Sequence, residues 1–426
     1  MSSLLIKGGS VVLLDKVIER DILVKDGKIV SIASKICRGG NLPPEIDKTI
    51  DAKGKHIFAG FVDMHCHLRE PGFEYKEDIE SGAKAALKGG FTTICCMPNT
   101  NPVIDNAALV SFVINRGKEV NAAKVYPIGA ITKGQKGESL AEIANMKKAG
   151  AVAFSDDGVP VENGGLMKTA LEYADTFDCL LISHSEDKSL SKNGVVNEGY
   201  HASVAGLKGI PKTAEESMIA RDILLAEYLN TKIHIAHIST KGSVDLIRQA
   251  KAKGIKVTCE TCPHYFAATD KEILSYNTNA KINPPLREES DRLAIIEGLK
   301  DGTIDCIATD HAPHDLSEKN QEFDLAPFGT SGFETAFSLS YTYLVKEKHL
   351  TLVQLSKLLS FAPAKILGLP FNELKEGNTA DITIADLSKS VTVDSKKFVS
   401  KGKNCLFDGW KLQGVVTNAI VDGVER

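Results

Sequence analysis

Two histidines stand one residue apart at the end of an apolar run in GFVDMHCHLREPG (Gly60 to Gly72), with an arginine two residues further on. In an extended strand the side chains at i and i+2 point the same way. His65 and His67 therefore aim their imidazoles at one spot, and Cys66 faces the other side. Two neutral imidazoles at a strand end make half of a metal site, and they need partners from elsewhere in the chain. Candidates close other apolar runs: Asn99, Asp156 and Asp157, His184, His237, His264, then Asp310, His311 and His314.

Those runs are HIFAGFVDMH, FTTICCMPN, KVYPIGAIT, AVAFSDDG, CLLISHSE, KIHIAHIS, KVTCETCPH and IDCIATDHAPH. They are short, apolar and rich in β-branched residues, as strands are. Pieces between them, such as SLAEIANMKKAG and SVDLIRQAKAKG, carry apolar residues at spacings of three and four and stop at glycine, as helices do. Eight such units between residues 55 and 315 predict an α/β fold, a (β/α)8 TIM-like barrel. A doubly wound open sheet is the competing arrangement, but no glycine-rich phosphate loop follows the first strand. A barrel gathers the C-terminal ends of its strands on one face, so the shared position of these polar residues predicts one site. In KIHIAHIS, His234 and His237 are three apart and face opposite sides of a strand. His237, at the end and in phase with Ile233 and Ile235, is the expected ligand; His234 is expected outside, under the helix layer.

A net charge of −4 with no basic block argues against nucleic-acid or membrane-surface binding. No apolar run reaches the length of a membrane span, and MSSLLIKGGSVVLLD carries charge too early for a signal-peptide core. Nine cysteines at irregular spacings suggest no disulfide framework and point to a reducing cytoplasm. The one CxxC, Cys259 and Cys262, has no second pair and reads as structural. Residues 1–54 alternate around a hairpin signal at Asp26-Gly27, and residues 367–426 read similarly. The two ends are expected to form a small β-sandwich domain beside a barrel spanning 55–366.

DMHCHLREPG, MPNT, FSDDG, SHSED, HIAHIST, KINPPLR and ATDHAPH together resemble the type I dihydroorotases, in the cyclic amidase branch of the amidohydrolase superfamily. The resemblance continues through PAKILGL and KEGNTADITIAD, nearly the whole chain. It implies reversible cyclisation of N-carbamoyl-L-aspartate to (S)-dihydroorotate plus water, in de novo pyrimidine (UMP) biosynthesis, with two Zn²⁺ per subunit. The implied metal ligands are His65, His67, Asp157, His184, His237 and Asp310, with Asp310 also the catalytic acid/base. Related cyclic amidases bridge their metals with a carboxylated lysine on the fourth strand. In this resemblance Asp157 takes that place, and Asp156 should face away.

The substrate-binding positions it implies are His67, Leu68, Arg69, Asn99, Asn283, His314, Phe328 and Gly329. Arginine suits a carboxylate because its planar fork offers two hydrogen bonds. His264 is a secondary candidate, and His311 is expected to orient its neighbours. The segments Glu186–Ala214 and Asp315–Leu325 follow ligand-bearing strands and are expected to border the site. A homodimer and a complex with aspartate transcarbamoylase are assemblies the resemblance allows. A hydantoinase or allantoinase is the nearest enzymatic rival, but those substrates lack the exocyclic carboxylate that would occupy Arg69 and His314. A non-catalytic dihydroorotase-like scaffold subunit is the rival of another class, and such relatives lose metal histidines; here all six ligand positions are filled.

Overall fold

The computed structural model describes residues 3–36 and 46–426, so Cys37 lies outside the described residues. The chain opens with β1 (Ser3–Val12), β2 (Val17–Lys25), β3 (Lys28–Ala33), β4 (Lys48–Asp51) and β5 (His56–Ala59). Next come β6 (Phe61–Cys66), β7 (Phe91–Cys96), β8 (Lys124–Pro127), β9 (Phe154–Ser155) and β10 (Leu181–Ser183). A small pair, β11 (Val196–Asn197) and β12 (Gly209–Ile210), precedes β13 (Ile233–Ile235), β14 (Val257–Thr261) and β15 (Cys306–Ile307). The chain closes with β16 (Ile382–Thr392), β17 (Lys411–Val421) and β18 (Val424–Glu425).

Strands from both ends make one eight-stranded sheet, in the order β18-β17-β16-β5-β1-β2-β3 with β4 beside β1. Asp26 and Gly27 turn β2 into β3 with φ of 48° and 80°, as the sequence signal requires. Alternate residues of these strands, among them Ile6, Ile22, Ile57, Ile382 and Ile420, pack into a core of their own. The run HIFAGFVDMH is two strands, not one. β5 pairs with β1 and β16, and only β6 enters the barrel, so the sheet extends to residue 59 rather than 54. The change of sheet happens at Gly60, where a Cβ would lie 2.1 Å from Thr92 Oγ1. Both halves of the run are buried, so hydropathy gives no sign of the switch. Between β16 and β17 the chain also leaves the sheet, and Asn404 reaches the barrel mouth, where its Nδ2 donates to the carbonyls of Ala312 and Gly329.

The barrel is built from eight parallel strands. β6, β7 and β8 pair in sequence, and β9, β10, β13, β14 and β15 form the other arc. Parallel bridges Gly129↔Phe154 and Cys66↔His311 close the ring. Helices such as Ile79–Lys88 and Lys241–Ala252 pack outside; the first starts at Asp78, whose side chain accepts from Ser81 N, and stops at Gly89. Outward strand residues such as Ile94, Phe154, Leu181, Ile233 and Ile307 join the large core beneath those helices. Inward ones, including Cys95, Ile182, Ala236 and Ala308, fill the barrel, where Leu367 from the helix Ala362–Leu367 joins them.

His234 differs from expectation. It lies inside the barrel, with Nε2 3.5 Å from Glu260 Oε2, while Ile233 and Ile235 face the helices. His237 is therefore out of phase with the inward set of its strand. Its backbone, at φ 30°, breaks the alternation and turns the ring back to the centre.

Candidate metal centre and substrate pocket

Six side chains from five strand ends meet at the mouth of the barrel. Asp157 Oδ1 is 3.4 Å from His65 Nε2, 3.3 Å from His184 Nδ1 and 3.4 Å from His237 Nε2. Asp310 Oδ1 is 3.2 Å from His67 Nε2 and 3.7 Å from His65 Nε2. All six are buried. Asp156 points away and accepts from the amides of Ile131 and Thr132, at 2.8 and 3.1 Å. His237, Asp310 and Arg69 all hold positive φ, at 30°, 45° and 62°. Non-glycine residues occupy that region at a cost, and such strain gathers where side-chain aim matters more than backbone comfort.

Three of the four imidazoles are backed by an acceptor. His65 Nδ1 lies 2.6 Å from Glu260 Oε1, His67 Nδ1 2.9 Å from Asn99 Oδ1, and His184 Nε2 3.2 Å from Glu186 Oε2. Each backing bond takes the ring proton and leaves the other nitrogen's lone pair facing the centre. His184 Nδ1 and His237 Nε2 then stand 2.9 Å apart, and His65 Nε2 and Asp157 Oδ1 are buried without a hydrogen-bond partner. Lone pairs and carboxylate oxygens converging in a buried space repel unless positive charge sits among them. The donor set is thus that of a metal site. Two overlapping trios, His65 with His67 and Asp310, and His65 with Asp157 and His237, each bring their donor atoms within 4.8 Å.

The electrostatics agree. Burial opposes charging His65, but Asp157 and Glu260 outweigh it and hold its pKa well above the ordinary value. His184, likewise buried, is lifted to about 9 by Asp157 and Glu186. Burial would raise Asp157, yet His65, His184 and His237 keep its carboxyl well below the usual range. Asp310 is also lowered: burial works against ionisation, but the His67 hydrogen bond and the surrounding imidazoles win. It is a carboxylate ready to accept a proton.

A cavity of about 750 Å³ opens above this cluster, with Arg69, Asn99, Asn283, His314, Phe328 and Gly329 in its wall. Arg69 Nη2 and His314 Nε2 lie 3.4 Å apart, and Arg69 Nε donates to Pro313 O. His314 Nε2 donates to Phe328 O at 2.8 Å. Burial, with Arg69, Lys76 and Lys319 nearby, holds the His314 pKa far below its usual value, so the ring is neutral. Asn283 Nδ2 donates to Glu186 Oε2 at 2.9 Å. Both expected border segments contribute, through Lys188, Lys208 and Ile210 on one side and Asp324 on the other.

Leu68 is the exception among the expected binders. Its side chain is buried in the apolar core beneath the helices, where its Cδ2 would lie 2.4 Å from a Cβ at Gly82. It follows His67 by one residue and so faces the opposite way. His311 also turns from the centre: Nε2 lies 3.3 Å from Glu77 Oε2, Nδ1 accepts from Gly332 N, and the ring stacks on Phe333. His264 packs on Tyr265, is pushed by burial to about 4, and is not in the cavity wall.

Sequence reading missed Glu260, Glu186, Lys281 and Asn404. Glu186 could have been found, because it follows His184 by two residues and so shares its side. Glu260, a glutamate inside an apolar strand, was a signal of a buried paired charge. Asn404 had none.

Gly329 sits at φ 135°, and a Cβ there would meet Ala312 O at 2.8 Å. Gly329→Ala should therefore lower stability by about 1–3 kcal/mol, read as an earlier midpoint in chemical denaturation. An unchanged midpoint would mean the loop has slack that this geometry denies.

Residues 54–243 match the family model described as Dihydro-orotase-like. The dihydroorotase of Acetivibrio thermocellus is 57% identical over 404 residues, 95% of this chain and 93% of that protein. The chain belongs to the dihydroorotase family. The dihydroorotase of Ruminiclostridium cellulolyticum is 54% identical, over 99% of this chain and 97% of its own length. Among solved structures, the L-hydantoinase of Arthrobacter aurescens matches with TM-score 0.88 at 27% identity, covering 100% of this chain and 96% of that one. A dihydropyrimidinase from Brevibacillus agri matches with TM-score 0.83 at 21% identity, covering 99% and 94%; it shares the fold. Among the described residues no helix is long and apolar enough to cross a membrane.

Proposed function

We propose that the protein is a zinc-dependent dihydroorotase, interconverting N-carbamoyl-L-aspartate and (S)-dihydroorotate plus water in pyrimidine biosynthesis. One observation carries the reading: a cation-demanding cluster lies at the floor of a cavity whose wall holds a half-buried arginine beside a neutral histidine. His65, His67, Asp157 and Asp310 would hold one Zn²⁺, and Asp157, His184 and His237 a second. Bound there, zinc supplies Lewis acidity and brings the pKa of water from 15.7 to roughly 7.

The protein's own groups do the rest. In the hydrolytic direction water attacks the ring amide carbonyl; Asp310 takes the water proton and delivers it to the departing ring nitrogen. In cyclisation Asp310 removes a proton from the ureido nitrogen, which attacks the side-chain carboxyl group, and Asp310 returns that proton to the departing hydroxyl, which leaves as water. Arg69 and Asn99 would hold the carboxylate outside the reaction, with His314 turning its Nε2–H from Phe328 O to meet it, and Asn283 and the main chain at Phe328 and Gly329 along the ring. Lys188, Lys208 and Lys281 in the cavity wall favour an anionic substrate. The eight described cysteines are free and buried, which supports a reducing cytoplasm.

A hydantoinase reading has the fold likeness on its side, but it leaves the Arg69–His314 pair without an anionic partner. The purified protein should hydrolyse dihydroorotate, lose that activity on chelation, recover it with Zn²⁺, and ignore hydantoin and allantoin. Turnover of hydantoin in preference to dihydroorotate would replace this assignment.

A further inference from the structure

Beneath the centre, on the barrel axis, lies a buried chain of polar groups. Glu260 on β14 presents Oε1 to His65 Nδ1 at 2.6 Å, and its Oε2 lies 3.5 Å from His234 Nε2. His234 Nδ1 is 2.8 Å from Thr258 Oγ1. Glu260, His65 and His234 have no solvent exposure at all. An isolated buried carboxylate is expensive, and since only Oε1 has a hydrogen-bond partner, the bond to His65 is the anchor of this one.

We propose that Glu260 is a positioning residue for the cation centre, fixing His65 in orientation and tautomer through its Oε1. A carboxylate only accepts hydrogen bonds, so the proton of neutral His65 must sit on Nδ1. Nε2, which has no hydrogen-bond partner and faces Asp157 and Asp310, keeps its lone pair for the cation. His65 belongs to both trios of donor atoms, so its aim bears on how the whole cluster closes around a cation. Thr258 Oγ–H donates to His234 Nδ1, leaving the Nε2–H of His234 facing Oε2.

A competing role exists for the same atoms: His234, Glu260 and Cys306 also bring donor atoms within 4.8 Å. Cys306 Sγ, however, faces Met64 Sδ at 3.4 Å, and Glu260 Oε1 is committed to His65.

The proposal rests on the metal reading of the main site, and the test separates the two. Metal-free protein is titrated with Zn²⁺ against a competing chelator, its metal content counted, and the absorption spectrum of the Co²⁺-loaded form recorded. Wild type is compared with Glu260→Gln, which keeps the shape and removes the charge, and Glu260→Leu, which introduces no buried charge. Thermal unfolding of each variant checks the fold. Wild type should bind two cations. Both variants should bind about 10–100-fold more weakly, with an altered Co²⁺ spectrum and Leu the worse. Two cations in wild type with unchanged affinity and spectrum in the variants would refute the positioning role alone. A third cation in wild type that vanishes in Glu260→Gln would replace it by a ligand role. No cation in wild type would overturn the metal reading and this proposal together. If Glu260→Leu unfolds, the isosteric Glu260→Gln decides.

Discussion

Asp310→Asn should keep its cations and lose about 10²–10⁴-fold in turnover, the range for removing a positioned acid–base group. Asparagine matches aspartate in shape and offers a carbonyl oxygen where Oδ1 faces His67 Nε2 at 3.2 Å. Four imidazoles and Asp157 remain to hold metal, so occupancy should fall far less than rate. What asparagine cannot do is take up a proton from water and hand it to the ring nitrogen. Burial opposes ionisation of the Asp310 carboxyl, but the His67 hydrogen bond and the surrounding imidazoles hold its pKa below the ordinary value. Metal content and steady-state turnover measured on one preparation check this. Turnover within tenfold of wild type at full occupancy would move the proton transfer to another group.

Arg69→Met should spare the cations and act on substrate capture, raising KM for dihydroorotate by about 30-fold or more, while kcat changes much less. Truncating one member of a buried, hydrogen-bonded charge pair costs about 2–5 kcal/mol, and the lower bound converts to about 30-fold. Arg69 is half-buried, its Nε is already used by Pro313 O, and Nη2 lies beside the neutral His314 ring. Burial lowers its pKa although Asp310, Asp157, Glu318 and Glu77 work the other way. Methionine keeps the length and polarisable bulk and removes the charge. A KM unchanged for dihydroorotate would show that the exocyclic carboxylate is held elsewhere. Equal loss in kcat and kcat/KM would mean that Arg69 acts in the transition state rather than in capture.

Much of the centre was legible because strand alternation is local. His65 and His67 share a side by spacing alone, and Asp157 and His184 follow the inward phase of their strands. His237 was chosen for a wrong reason. It shares the phase of Ile233 and Ile235, which face the helices, and only a backbone turn at φ 30° brings it inward. His234, expected outside, fills the barrel. Alternation tells which residues share a face but not which face is the interior, since both faces of a barrel strand are buried. The same blindness hid the change of sheet at Gly60 and left Leu68 among the substrate contacts.

By itself the sequence determined the barrel, the sheet from both chain ends and the residue types gathered at the strand ends, because period, turn chemistry and donor identity are carried by neighbouring residues. Tertiary structure alone decided which distant groups back the site: Glu260 behind the His65 imidazole, and Asn404, whose Oδ1 accepts from the His314 main-chain amide across 90 residues. Those pairings depend on how far apart two strand ends lie once the ring has closed. That distance is set by the packing of the whole barrel and by no local run of residues.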